Sequence, residues 1–374
     1  MDLQYKPKEH EENLGSQNIN TRIFLHQDAI FQQLFNISTD ESSFLHVLLN
    51  NLSQTLINAK SVSNEFFYSQ QFLDYLNSTL EHNPNRLIQN DVIKIIFKLL
   101  FFGGIDKFPF FIEETFLQNY LNLLFLDGDG PTKNLQTDVM RLLSFISNSE
   151  KVTPQLINSV NQIIELHQKP QSFEFLLFLC SFLYPFIKYI SEYQLKINST
   201  FIAFFITQNN VKLSESGLLL FQRYLLNYIQ YNPQSDEKVF ELFQTIFPPL
   251  FNQDQPEILS AVINIYNTSF SIDMPIPVDS QFSTLLIQFL SHYSSLVTNA
   301  ALRCLSTAIQ HSFPIQLNPE FIAKLLYLFS APHSSLQMQE KVVSVFSAII
   351  TNTDQSIIAQ MPISDILPTF IHIF

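Results

Sequence analysis

The stretch LDGDGPTKN, residues 126 to 134, sets Asp127 and Asp129 two positions apart, the spacing with which a calcium loop begins. Such a loop needs Gly at its sixth position and a bidentate acid at its twelfth. Counted from Asp127, those positions hold Thr132 and Asp138, and Pro131 falls on a ligand position. The pattern fails as a cation site and predicts instead a helix stop, with Pro131 opening the next helix. Other reactive residue types are dispersed. The nine histidines form no His-x-x-x-His pair and no Cys/His group with zinc spacing. Neither Gly-x-Ser-x-Gly nor Gly-x-x-x-x-Gly-Lys-Ser/Thr occurs. Cys180 and Cys304 each lie in an apolar helical run, which predicts free core thiols in a reducing compartment. The expectation is a protein with no catalytic residue, no metal and no cofactor.

Charge narrows the ligand class. Acidic residues outnumber basic ones 33 to 20, for a net charge of −13. Nucleic-acid binding needs a concentrated basic face to release counterions, so a nucleic-acid partner is not expected. The closest approach to one is Lys94 with Lys98 in DVIKIIFKLL, which reads as the solvated edge of a buried helix. The run FLLFLCSFLYPFI, residues 175 to 187, is bracketed by Glu174 and Lys188 and is shorter than the ~20 residues a spanning helix requires. It is expected to lie between neighbouring helices, not in a membrane. Charges near Met1 stand where a secretory signal is apolar, so a cytoplasmic or nuclear location is expected.

The elements that carry these residues are helical. Residues 1–20 are polar and predict a flexible tail, and residues 21–374 predict a single helical array. Beyond the tail, apolar runs of helical period alternate with short breaks of Asn, Ser, Asp and Pro, and no stretch alternates as a strand would. EILSAVINIYNTSF, VTNAALRCLSTAIQ and MQEKVVSVFSAIIT repeat one pattern at a regular interval. Taking every second helix, the apolar centres are Leu100, Leu142, Leu183, Tyr224, Ile265, Leu305 and Phe346, spaced by roughly 41 residues. A period of that length with two helices in each unit predicts stacked helical hairpins, because no single pair buries its own apolar face.

Ala300-Ala301-Leu302-Arg303-Cys304-Leu305-Ser306-Thr307-Ala308 resembles the inner helix of an armadillo repeat, and Asp138-Val139-Met140-Arg141 is loosely similar to that of a HEAT repeat. The resemblance to the armadillo/HEAT helical-repeat superfamily covers roughly residues 40 to 374. It implies an all-α, right-handed α-solenoid of about seven two- to three-helix repeats. Importin-α-like proteins hold basic peptides on a ladder of Trp and Asn. This chain has no Trp, and the matching places hold Ile263 with Asn267, Arg303 with Thr307, and Ser344 with Ala348.

The repeat register puts Arg223, Asn227, Asn267, Arg303, Thr307 and Ser344 on the inner-helix face as candidate partner-binding residues. The expected role is a non-catalytic scaffold or adaptor with a protein or peptide in its groove. An importin-like transport adaptor and a regulatory subunit of a phosphatase or other multiprotein complex are sharper versions. A peripheral membrane protein and an enzyme with an unrecognised site are the rival classes. At the C-terminal end, Leu367, Phe370, Ile371, Ile373 and Phe374 have no later repeat to cover them. That run either folds back as a cap, makes a homotypic or partner contact, or continues into sequence beyond Phe374.

Overall fold

The structure is a computed structural model and describes residues 42–58, 67, 69–149, 153–230, 236, 238–278, 280–332 and 334–353. The polar stretch 1–20, His333 and the apolar run ending at Phe374 lie outside the described residues. Among those described there is no strand. After α1 (Ser42–Asn58) the chain forms helices in pairs. These are α2 (Gln70–His82) with α3 (Arg86–Gly103), α4 (Glu114–Leu124) with α5 (Pro131–Asn148), and α6 (Pro154–Glu165) with α7 (Phe173–Leu183). Then come α8 (Ser199–Ile206) with α9 (Val211–Tyr224), and α10 (Val239–Thr245) with α11 (Pro256–Ser271). The last are α12 (Ser280–Phe289) with α13 (Ser295–Gln310), and α14 (Pro319–Ser330) with α15 (Leu336–Asn352).

The chain divides into two compact units, residues 1–142 and 143–374. In the first, α1 packs on α3 and α2 on α4; in the second, α7, α9, α11, α13 and α15 pack in succession. These are the second helices of the pairs, and the residues expected at their centres are all buried, from Leu100 to Phe346. The architecture is therefore the all-helical repeat array that the 41-residue spacing implies. Its core is rich in phenylalanine, with Phe72, Phe111, Phe182, Phe205, Phe221 and Phe243 among the fully buried rings. Aromatic edges meet faces along it, as in Phe243 against Tyr266, 5.1 Å apart at 90°.

The polar breaks between helices are caps. Side chains of Ser69, Asn85, Thr153, Ser172, Asn198, Asn210, Asn318 and Ser335 accept a hydrogen bond from a backbone N–H in the first turn that follows. Pro131, Pro154, Pro256 and Pro319 open helices, where a missing N–H costs nothing. The turn reading of LDGDGPTKN holds, since α4 stops at Leu124, Gly130 takes φ +50° and α5 begins at Pro131.

A second device closes the other end of five of the first helices. Near the start of a second helix, a polar side chain reaches back to the last carbonyls of its partner. Gln89 donates to Leu80 at 2.8 Å, Gln136 to Leu124 at 2.9 Å and Leu126 at 2.6 Å, and Ser214 to Ile206 at 2.8 Å and Gln208 at 3.0 Å. Gln339 donates to Phe329 at 3.0 Å, and Thr298 makes a longer bond to Phe289 at 3.4 Å. These bonds satisfy carbonyls that a helix leaves orphaned, and so they fix the hairpin angle.

Phe173–Tyr193 is the described stretch that is long and apolar enough to cross a membrane by length and composition. Here it is divided into α7, a 3-10 segment Tyr184–Tyr189 and a short turn Ile190–Tyr193. Phe175, Leu179, Cys180, Phe182 and Leu183 are buried, and α7 packs against α9. This is the placement between neighbouring helices that its bracketing charges predict.

Candidate functional site

Two polar surfaces stand out, one in each unit. In residues 143–374, the succession of second helices carries a row of side chains that cross from helix to helix. Gln222 on α9 donates to Thr268 on α11 at 2.9 Å. Asn264 on α11 accepts from Arg303 on α13 at 3.1 Å, and Asn299 on α13 accepts from Lys341 on α15 at 2.7 Å. The hydroxyls of Ser306 and Ser344 lie 3.0 Å apart.

The six residues expected on this face take different positions along it. Arg303 and Ser344 are exposed, while Arg223, Asn227, Asn267 and Thr307 are half-buried. The Arg223 guanidinium lies 5.1 Å above the Tyr184 ring. Asn227 follows α9 in a stretch with π-helical bonding, Leu225–Ile229, and donates to the Arg223 carbonyl at 2.9 Å. Among the described residues, Arg223 Nε and Asn267 Oδ1 are buried without a hydrogen-bond partner, as are the side-chain oxygens of Asn90, Gln136 and Ser334 elsewhere.

The row is cationic. Burial first, and then the neighbouring Arg303, holds the Lys341 ammonium below its usual range. Two crowded cations on adjacent helices disfavour a basic ligand and favour an anionic one.

In residues 1–142, a cleft of 330 Å³ is lined by Ile93, Lys94, Phe97, Lys98, Phe101 and Phe102 of α3 and by Asp138 and Arg141 of α5. Lys98 is half-buried, and its ammonium donates to the Ser53 carbonyl at 2.6 Å and to the Ser53 hydroxyl at 2.7 Å. Burial, followed by the charges of Lys94 and Arg141, pulls it down to about 8. Nearby, His46 of α1 pairs with the buried carboxylate of Asp91, whose acidity is reduced chiefly by desolvation. The solvated-edge reading of Lys94 and Lys98 thus fits Lys94, which is partly exposed, and not Lys98, which ties α3 to α1. The missed signal was an offset of about one repeat: Lys98 meets Ser53, and Lys94 faces Asp138.

Among the described residues no group of three or more His, Cys, Asp or Glu could hold a metal ion. Cys180 and Cys304 are free, and burial pushes both thiols far up, which makes them inert. A larger cleft, 680 Å³, is lined by residues 206–211 and 252–255 together with Ser214, Ile246, Pro249 and Leu250. Asp254 is the acid in its wall.

No family model matches the chain, and no curated protein matches it in sequence. Among solved structures, the chain is similar to yeast importin-β (Kap95p), with 14% identity and a TM-score of 0.46 over 91% of this chain and 45% of that one. It is also similar to Kap95p as studied with RanGDP, with 12% identity and a TM-score of 0.46 over 94% of this chain and 46% of that one. The chain spans a little under half the length of those it matches.

Proposed function

We propose that the chain is a non-catalytic protein-binding scaffold, and that its partner lies along the second-helix row of α9, α11, α13 and α15. The observation that carries this reading is the row itself. Arg223, Asn264, Asn267, Arg303, Lys341 and Ser344 stand on successive helices, with polar atoms that the core does not use. A repeat array displays such a row as a continuous strip, suited to a peptide or a helix of another protein. The strip's cations favour an acidic or neutral partner over the basic peptides of importin-α-like proteins. A role as an adaptor in a larger assembly, in transport or as a regulatory subunit, fits this strip. The two free, buried cysteines, Cys180 and Cys304, support a cytoplasmic or nuclear setting.

The test is a crosslinked affinity purification from native lysate, followed by reconstitution of the identified partner with purified chain. The wild type is compared with a chain carrying Arg223→Glu, Asn267→Ala and Arg303→Glu, after circular dichroism confirms unchanged helicity. A partner that binds the wild type directly and loses affinity at least about tenfold with the variant supports the reading. A partner held equally by both chains moves the interface off this strip.

A further inference from the structure

On α13, Asn299 and Ser306 meet Lys341 and Ser344 of α15, so the side of α13 that carries them faces the following unit. Leu302 and Ile309 stand on that same side, one turn beyond Asn299 and Ser306. Leu302 is fully buried and Ile309 is 6% exposed. The two helices repeat at an offset of 41 residues, from Leu305 to Phe346. Carried forward by that offset, the same side of α15 consists of Glu340, Val343, Ser347 and Ile350. There Glu340 and Ser347 are exposed, Val343 is half-buried and Ile350 is 62% exposed. Val343 and Ile350 lie about half a turn round the helix from Lys341, which bonds back to α13. The stacking face that is covered on α13 is therefore open on α15.

The sequence that follows α15 has a face to match. Eight residues, 272–279, connect α11 to α12, and eight, 311–318, connect α13 to α14. The same eight-residue step from Asn352, the end of α15, leads to Met361. Beyond it Ile363, Ile366, Leu367, Phe370, Ile371 and Phe374 recur at helical period, which puts them on one side of about three turns. Pro368 interrupts that pattern, as Pro248 and Pro249 interrupt the first-helix segment of the unit that holds α10.

Two apolar surfaces thus stand one short connection apart, and each lowers its free energy by leaving water. The tether gives them a high effective concentration, which a second copy or a separate protein would have to supply from solution. A second copy seated on α15 would also leave the apolar side of 361–374 in water. We infer that residues 361–374 dock on the outward face of α15 as the first helix of a further unit. Their apolar side covers Val343 and Ile350 and closes the end of the core that α13 and α15 share. The docking does not rest on the partner strip, whose Lys341 points back to α13.

The experiment is photocrosslinking of the purified full chain with a benzophenone side chain at position 350, read by gel and by peptide mapping. A chain labelled at Leu219 on α9, which is 41% exposed, is the control. Circular dichroism confirms unchanged helicity in both. The expected product is a monomer crosslinked to its own residues 361–374, in a yield that stays constant over about a hundredfold range of protein concentration. Melting is the second readout. Ile350→Ser and Phe370→Ser should each lower the melting temperature by about 2 °C or more, and the double variant by less than their sum. No product within 361–374, the same product from position 219, or additive losses in the double variant overturns the inference. Crosslinked dimers whose yield rises with concentration overturn it in favour of a second copy.

Discussion

Gln89, buried near the start of α3, donates from Nε2 to the carbonyl of Leu80 on α2 at 2.8 Å while its Oε1 accepts from Arg86 at 2.7 Å. One side chain thereby closes the C-terminal end of a helix and sets how that helix meets its partner. Gln89→Leu keeps the volume, removes the donor and leaves the carbonyl orphaned. Urea unfolding should show a loss of about 1–2 kcal/mol. An unchanged or higher midpoint would mean that the bond is incidental to the hairpin.

Asp236 gathers several donors at the start of α8. Its carboxylate accepts from the Ser199 N–H at 2.6 Å, the Ser199 hydroxyl at 2.9 Å, the Tyr224 hydroxyl at 2.9 Å and the Lys238 N–H at 3.2 Å. Burial, followed by this carboxylate, holds the Tyr224 phenol far above its ordinary value, so it stays a donor. Asp236→Ala strands buried donors and should cost about 3 kcal/mol, whereas Tyr224→Phe should cost about 1 kcal/mol. Chemical denaturation of the two variants side by side checks the order, and the reverse order contradicts this assignment.

Gly217 lies on α9 where the helix crosses α8. A Cβ at this position would come within 2.9 Å of the Ile206 nitrogen and of the Phe205 Cβ. Alanine is the better helix former by about 1 kcal/mol, yet here backbone and core would have to move apart. Gly217→Ala is expected to lower the melting temperature; a rise would show that the crossing yields easily.

Lys98 makes stability depend on pH. Its folded-state value of about 8 lies below that of a free lysine. Between the two, the unfolded chain still binds the proton and the folded chain does not, so raising pH favours folding through this group. The stability of the wild type relative to Lys98→Met should therefore rise between pH 7 and pH 9.5. Urea midpoints at both pH values test it, and a constant difference would show that Lys98 titrates normally.

Sequence periodicity made the helices legible because leucine, isoleucine and phenylalanine recur both at the helical period and at the repeat interval. Leu142, Ile265 and Leu305 were placed in the core on that basis alone, and they are fully buried. The breaks of Asn and Ser between helices were also readable as breaks, and the structure shows that Asn210 and Ser335 within them cap the helices that follow. The reach-back bonds were not, because Gln89, Gln136, Ser214 and Gln339 share a geometric role without sharing a residue type. The Lys98 contact with Ser53 escaped for another reason. Lysine looks like a surface residue, and a bond spanning one repeat shows only when adjacent repeats are overlaid. Of the expected row, Arg303 and Ser344 reach residues of neighbouring helices, contacts that helical period alone does not reveal.

The central claim, a partner held along the second helices, is tested most directly by site-specific photocrosslinking of the reconstituted complex. A benzophenone side chain is placed at Arg303 on α13 or at Ser344 on α15, with Tyr327 on α14, 64% exposed, as the comparison site. The account predicts adducts to one partner from positions 303 and 344 and none from 327. Adducts from 327 alone would place the interface on the first helices and contradict it.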